Sequence, residues 1–198
     1  MRLFWRLLAH SACALPLVYL ILQIAEVAGL RLGPNPQLYI RDVLGEWRLR
    51  LLLVTLAMTP LRWLTGKPWP VQFRRLLGLW SFTYLTLHFV TYFFLDRSLD
   101  LPVIVEDIAK RPYITIGFAA FLLMIPLAVT STAGWRRRLG TRWLTLHKLV
   151  YAVAILGCWH FYWLVKKDLR EPLVYCGLLA ILLAARIWWT HADQARAA

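Results

Sequence analysis

Apolar residues fall in blocks of about twenty that do not alternate with polar ones, which is the pattern of helices crossing roughly 30 Å of hydrocarbon. Six such blocks are predicted, at about 7–28, 48–64, 76–95, 113–131, 143–165 and 172–189. Breakers separate them: Gly33-Pro34-Asn35-Pro36 after the first, Gly66-Lys67-Pro68-Trp69-Pro70 after the second, Pro102 in the third connection, and Gly134 and Gly140 in the fourth. Pro172 opens the sixth helix, where a missing N–H costs little. The second block is the weakest, because Arg48 and Arg50 shorten its apolar core. The expected fold is an all-α integral membrane protein, a single domain over residues 1–198 built as a bundle of six transmembrane helices.

Composition agrees with that pattern. Of 198 residues, 60% are apolar or aromatic and 17% are charged, which excludes a disordered chain and makes a soluble fold improbable. The N-terminal apolar run reaches Ala28 without a small-x-small cleavage site and is expected to be a retained first span. Cys13, Cys158 and Cys176 lie inside apolar blocks without Cys-x-x-Cys spacing, so they are expected to pack, not to form a disulfide framework or zinc site.

Charge sets the orientation. The net charge of +13 would suggest nucleic acid in a soluble protein, but no basic stripe with interleaved aromatics lies on a polar element, so no nucleic-acid binding is expected. Connection two carries Arg62, Lys67, Arg74 and Arg75, and connection four carries Arg136, Arg137, Arg138 and Arg142, neither with an acid. Nearly all acids lie in connections one, three and five: Asp42, Glu46, Asp96, Asp100, Glu106, Asp107, Asp168 and Glu171. The positive-inside rule then puts connections two and four, and both termini, in the cytoplasm. Trp5, Trp47, Trp63, Trp69, Trp143, Trp163, Trp188 and Trp189 cluster near span ends, as an interfacial belt does. No internal repeat is visible.

Histidines at membrane depth carry the candidate chemistry. His88 lies in the third span, His147 and His160 in the fifth, and His10 about a turn and a half into the first, while His191 lies beyond the sixth. Ionisable groups at depth are expensive and default to functional hypotheses. Few acids are available for a proton relay, Glu26 being the nearest. Haem iron supplies the missing partner, since neutral imidazole is a common axial ligand. At about 1.5 Å per residue, His88 and His160 lie roughly 10 and 8 Å from the outer ends of their spans and can grip one iron. His147 and His10 lie near the inner ends and can grip a second, roughly 20 Å from the first along span five. Structural roles compete: His10 at the interface, His147 on a backbone carbonyl. Arg74-Arg75 and Arg136-Arg137-Arg138 fit topology and anionic headgroups, or haem propionates or a flavin phosphate. With no Gly-x-Gly-x-x-Gly and no P-loop, electrons must arrive from a soluble reductase or a quinol.

In this order, several segments resemble the MsrQ (YedZ) family, within the ferric reductase-like transmembrane superfamily. They are Arg74-Arg-Leu-Leu-Gly-Leu-Trp80 leading to Thr86-Leu-His88, Arg111-Pro-Tyr-Ile-Thr-Ile-Gly117, Thr130-Ser-Thr132, Leu139-Gly140, Leu146-His147-Lys148-Leu-Val-Tyr151 and His160 before Trp163. The resemblance runs over essentially the whole chain. It implies a b-type haem protein of the bacterial inner membrane, the haem-binding subunit of the MsrPQ system that repairs oxidised methionine. Electrons would pass from cytosolic NAD(P)H through a flavin reductase, or from quinol, to a periplasmic molybdopterin enzyme, MsrP, which performs the sulfoxide chemistry. The family's haem-binding histidines map onto His88, His147 and His160, for one or two haems b. FMN is also associated with the family, and Arg74 and Arg75 are the candidates for it. The superfamily's larger oxidases carry two histidines on each of two helices; here the third span has only His88, so the fourth ligand stays open, with His10 as candidate. Rival readings are the cytochrome b subunit of another dehydrogenase, a metal reductase, or a haem-free transporter or assembly factor.

Overall fold

The computed structural model describes residues 2–197, with side-chain surroundings for 3–192. Among them the regular elements are all helical: α1 (Arg2–Ile24), α2 (Pro36–Thr65), α3 (Trp69–Thr91), α4 (Leu101–Lys110), α5 (Pro112–Val129), α6 (Ala133–Leu139), α7 (Thr141–His147), α8 (Leu149–Leu164) and α9 (Arg170–Ala197), with a 3-10 turn at Val27–Gly29 and a π turn at Tyr92–Asp96 closing α3.

Five stretches are long and apolar enough to cross a membrane: Leu3–Ile24, Trp69–Asp96, Pro112–Val129, Thr141–Leu164 and Arg170–Ala192. The fifth predicted span is two segments, α7 and α8, meeting at Lys148, whose N–H turns back on the carbonyls of Thr145 and Leu146. The second block is α2, and it departs most from expectation. It begins near Pro36, twelve residues before the predicted start, because Asn35 caps it through the Leu38 N–H and Pro36 suits its first turn. Its charges keep it outside the apolar set, yet it lies at the centre of the bundle. Leu49, Leu52, Leu53 and Leu56 are buried against Leu85 of α3, Met124 and Leu127 of α5, and Val153 and Ala154 of α8. A helix surrounded by protein does not need an apolar surface all round.

Two hairpins make the frame: α2 packs along α3, and α5 along α8. The start of α2 meets the end of α3 where Arg41 O faces His88, and the start of α5 meets the end of α8 where Tyr113 O faces His160. At the other end, Trp189 of α9 stacks on Trp63 at 5.3 Å, and Arg186 bonds Thr59. α1 packs on α3 through Tyr84, which donates to Cys13 O at 2.8 Å and is fully buried. Large apolar side chains cover the outer surface, among them Leu15, Ile181 and Trp188, as lipid contact requires.

Candidate haem-binding centre

His88 near the end of α3 and His160 near the end of α8 face each other, ring centroids 6.4 Å apart and ring planes 85° from parallel. Each is fixed the same way. His88 Nδ1 lies 3.0 Å from Arg41 O, and His160 Nδ1 lies 2.6 Å from Tyr113 O. A carbonyl only accepts, so each Nδ1 carries the proton and donates it, which leaves each Nε2 with a free lone pair. Among the described residues no hydrogen bond reaches either Nε2.

The device repeats along the chain. In both hairpins the carbonyl precedes its histidine by 47 residues, and a glycine follows the carbonyl residue by four: Gly45 after Arg41, Gly117 after Tyr113. Each glycine makes room for its ring. A Cβ on Gly45 would lie 3.2 Å from His88 Cε1, and one on Gly117 only 2.8 Å from His160 Nδ1.

Two cavities, of about 230 and 410 Å³, share a wall made by Arg41, Arg48, His88, His160 and Leu164. The first is closed by Leu85, Phe89, Phe118 and Phe121, of which Phe89 stacks on Phe121 at 4.3 Å and on Phe118 at 5.6 Å. Its mouth carries Asp96, Arg97 and Arg111. There Asp107, 8% exposed at its side chain, accepts from Arg97, from Arg111 at 2.9 Å and from the Tyr92 hydroxyl at 3.1 Å. Beside the Tyr113 hydroxyl and the Asp107 carboxylate, the Arg111 guanidinium is held above its ordinary pKa. Arg41 bridges to Asp96 at 3.0 Å and ties α2 to the π turn.

This donor set fits a haem iron. It offers two neutral imidazoles from facing helices, each with its remote nitrogen bonded to a backbone carbonyl, and an apolar aromatic wall beside them. Among the residues whose positions are described, no group of three or more His, Cys, Asp or Glu side chains gathers into a site for a bare metal ion.

The family described as ferric reductase like transmembrane component matches residues 44–158. The protein-methionine-sulfoxide reductase heme-binding subunit MsrQ of Xanthomonas axonopodis pv. citri (strain 306) is 49% identical over 184 residues, 91% of this chain and 84% of the relative. The subunit of the same name from Xanthomonas campestris pv. campestris (strain B100) is 52% identical over 157 residues, covering 79% and 72%. That of Ralstonia nicotianae is 51% identical over 162 residues, covering 80% and 75%. The chain belongs to the MsrQ family.

The other candidate residues of this MsrQ-family chain have separate surroundings. His147 closes α7, stacked on Trp143 at 3.9 Å, with Nε2 3.0 Å from Thr130 Oγ1. The Thr130 hydroxyl donates to Pro126 O, so it takes the Nε2 proton, and Nδ1 is the free nitrogen of His147. His10 is exposed on α1 and accepts from Trp80 Nε1 at 3.0 Å. The structure therefore gives His10 and His147 different partners. It also separates the arginine pair: Arg74 is half-buried within electrostatic reach of His147, Tyr151 and Arg186, while Arg75 is exposed.

Sequence reasoning gave no role to Gly45, to the Arg41 and Tyr113 carbonyls or to Arg48, and met Gly117 only as the end of a family segment. A carbonyl carries no side-chain signature. Arg48 has one, since an arginine inside a span marks a functional position by default, but the same residue also reads as an interruption of the apolar block.

Proposed function

We propose that this chain is a membrane electron-transfer cytochrome b that holds haem between His88 and His160. The observation that carries this reading is the pair of facing imidazoles whose Nδ1 protons are committed to carbonyls and whose Nε2 lone pairs are free. When bound, haem iron would alternate between ferric and ferrous and so carry one electron at a time.

The chain's own residues do the rest. The carbonyls of Arg41 and Tyr113 fix each ring's tautomer and raise its basicity as a ligand. Phe89, Phe118 and Phe121 exclude water beside the pair and set a low local dielectric. Gly45 and Gly117 let the rings approach their helices closely.

The wider reading follows from the family and the distribution of charge. α2 and the five apolar stretches make six crossings of the bacterial inner membrane, with both termini in the cytoplasm. The turn carrying Lys67 and the exposed Arg136, Arg137 and Arg138 lie on that side. Electrons enter from a cytosolic flavin reductase using NAD(P)H, or from quinol, and leave to a periplasmic molybdopterin methionine sulfoxide reductase, MsrP. The heme-binding role named for the relatives supports this assignment. A second haem is assigned to His147, with His10 as the candidate fourth ligand; this needs the Thr130–His147 and Trp80–His10 bonds to open or the free Nδ1 of His147 to serve. FMN is assigned to the inner end near Arg74 and Arg75, where Arg74 faces the bundle.

The test is a reduced-minus-oxidised spectrum of the detergent-purified chain with haem quantified per chain. A b-type spectrum is expected, lost from the outer site in His88→Ala and His160→Ala. A well-folded sample expressed with ample haem that shows no such spectrum sinks the reading. Co-purification with a periplasmic molybdoenzyme tests the partner.

A further inference from the structure

Among the described residues Arg48 is a buried cation without a counter-charge. It is 7% exposed, its Nε has no hydrogen-bond partner, and it joins none of the ion pairs among the described residues. Its neighbours on α2 are paired: Arg41 with Asp96, and Arg50 with Glu46 at 2.6 Å. The guanidinium lies across from Gly157 of α8, where a Cβ would stand 3.9 Å from Nη1. Arg48 lines both cavities together with His88 and His160.

The repeated device shows that packing does not demand a cation here. Arg48 follows Gly45 by three residues, and the residue three after Gly117 is Ala120, 1% exposed. One half of the centre is built with a methyl group at that register and the other with a guanidinium. A guanidinium taken out of water and left unpaired is strongly unfavourable, so its position calls for an anion in the cavity. The planar fork suits a carboxylate.

We propose that Arg48 is the anchor for a carboxylate of the ligand held by His88 and His160, a propionate of the porphyrin. The inference rests on the haem reading of that pair. Arg48 recognises the porphyrin's edge while the histidines take its iron, and so fixes how the ring is turned in its slot.

The experiment compares protohaem with its dimethyl ester, which keeps the iron and the ring but has no carboxylates. Both are titrated into the haem-depleted full-length chain in detergent, and binding is read from the bis-imidazole absorbance. The wild type is expected to hold protohaem at least tenfold more tightly than the ester. Arg48→Met is expected to lose at least tenfold in protohaem affinity and nothing in ester affinity, so the preference disappears. Arg48→Lys keeps a charge without the fork and is expected to retain part of the preference. Equal affinities in the wild type, an equal loss for both porphyrins in Arg48→Met, or an unchanged preference in both variants would overturn the proposal. Should Arg48→Met not fold, as judged by helical dichroism and gel filtration, the wild-type and Arg48→Lys titrations still decide. A wild-type chain that takes up neither porphyrin overturns the haem reading itself.

Discussion

A histidine that must reach across a helix pair is limited by what stands behind it. Behind His160 stands Gly117, and a Cβ there would lie 2.8 Å from Nδ1 and 2.9 Å from Cε1. The ring cannot swing aside freely, because Nδ1 is tied to Tyr113 O. Gly→Ala in a helix gains about 0.5–1 kcal/mol from backbone entropy and propensity, whereas overpacking costs about 1–3 kcal/mol. Gly117→Ala is therefore expected to be net destabilising by ~1–2 kcal/mol and to weaken haem retention. Gly45→Ala, with its closest contact at 3.2 Å, is expected to be close to neutral. Thermal melts of the two variants, with haem content measured alongside, check the order; a Gly45 variant worse than the Gly117 variant would refute it.

At the scale of elements, the two hairpins solve one problem twice. Each carries a carbonyl and a glycine near the start of its first helix and a histidine near the end of its second, and together they bring two imidazoles within 6.4 Å of each other, centroid to centroid. Near the end of α4, Asp107 gathers Arg97, Arg111 and Tyr92. Truncating one partner of a fully buried pair costs roughly 3–5 kcal/mol, because the remaining charge is stranded. Arg111 is half exposed and can recover water, so Asp107→Ala is expected to cost about 2–3 kcal/mol. Because Arg97 and Arg111 line the cavity mouth, the same change is expected to loosen α4 and speed haem loss. The unfolding midpoint and the haem off-rate in detergent check both effects.

For the whole molecule, the charge distribution sets an orientation that labelling can read. In a variant whose three cysteines are replaced by alanine, a single cysteine at Lys67 is expected to resist a membrane-impermeant maleimide in intact cells and to react after lysis. One at Ser98 is expected to react in intact cells. The reverse pattern would invert the proposed direction of electron flow. Haem stoichiometry belongs to this scale too. If the second site uses His10, His10→Ala is expected to lower the count from two haems to one while leaving the His88/His160 spectrum unchanged. No change in the count would remove His10 as a ligand and leave it as the acceptor for Trp80.

The helical class and five of the stretches that can cross a membrane were legible in the residues alone, because twenty-residue apolar blocks have few other uses, and His88 and His160 stood out as ionisable groups at depth. The MsrQ-type motifs were legible for the same reason that they are local and ordered along the chain. The early start of α2, its place in the centre despite its charges, and the break at Lys148 were not, because each depends on what neighbouring helices cover or bond. Depth arithmetic placed His88 and His160 at similar levels; the structure set their rings 6.4 Å apart. It also assigned each ring its tautomer and put Arg48 beside them. Periodicity reports which face of a helix is apolar, whereas contacts between residues 47 apart in the chain exist only once both hairpins have closed.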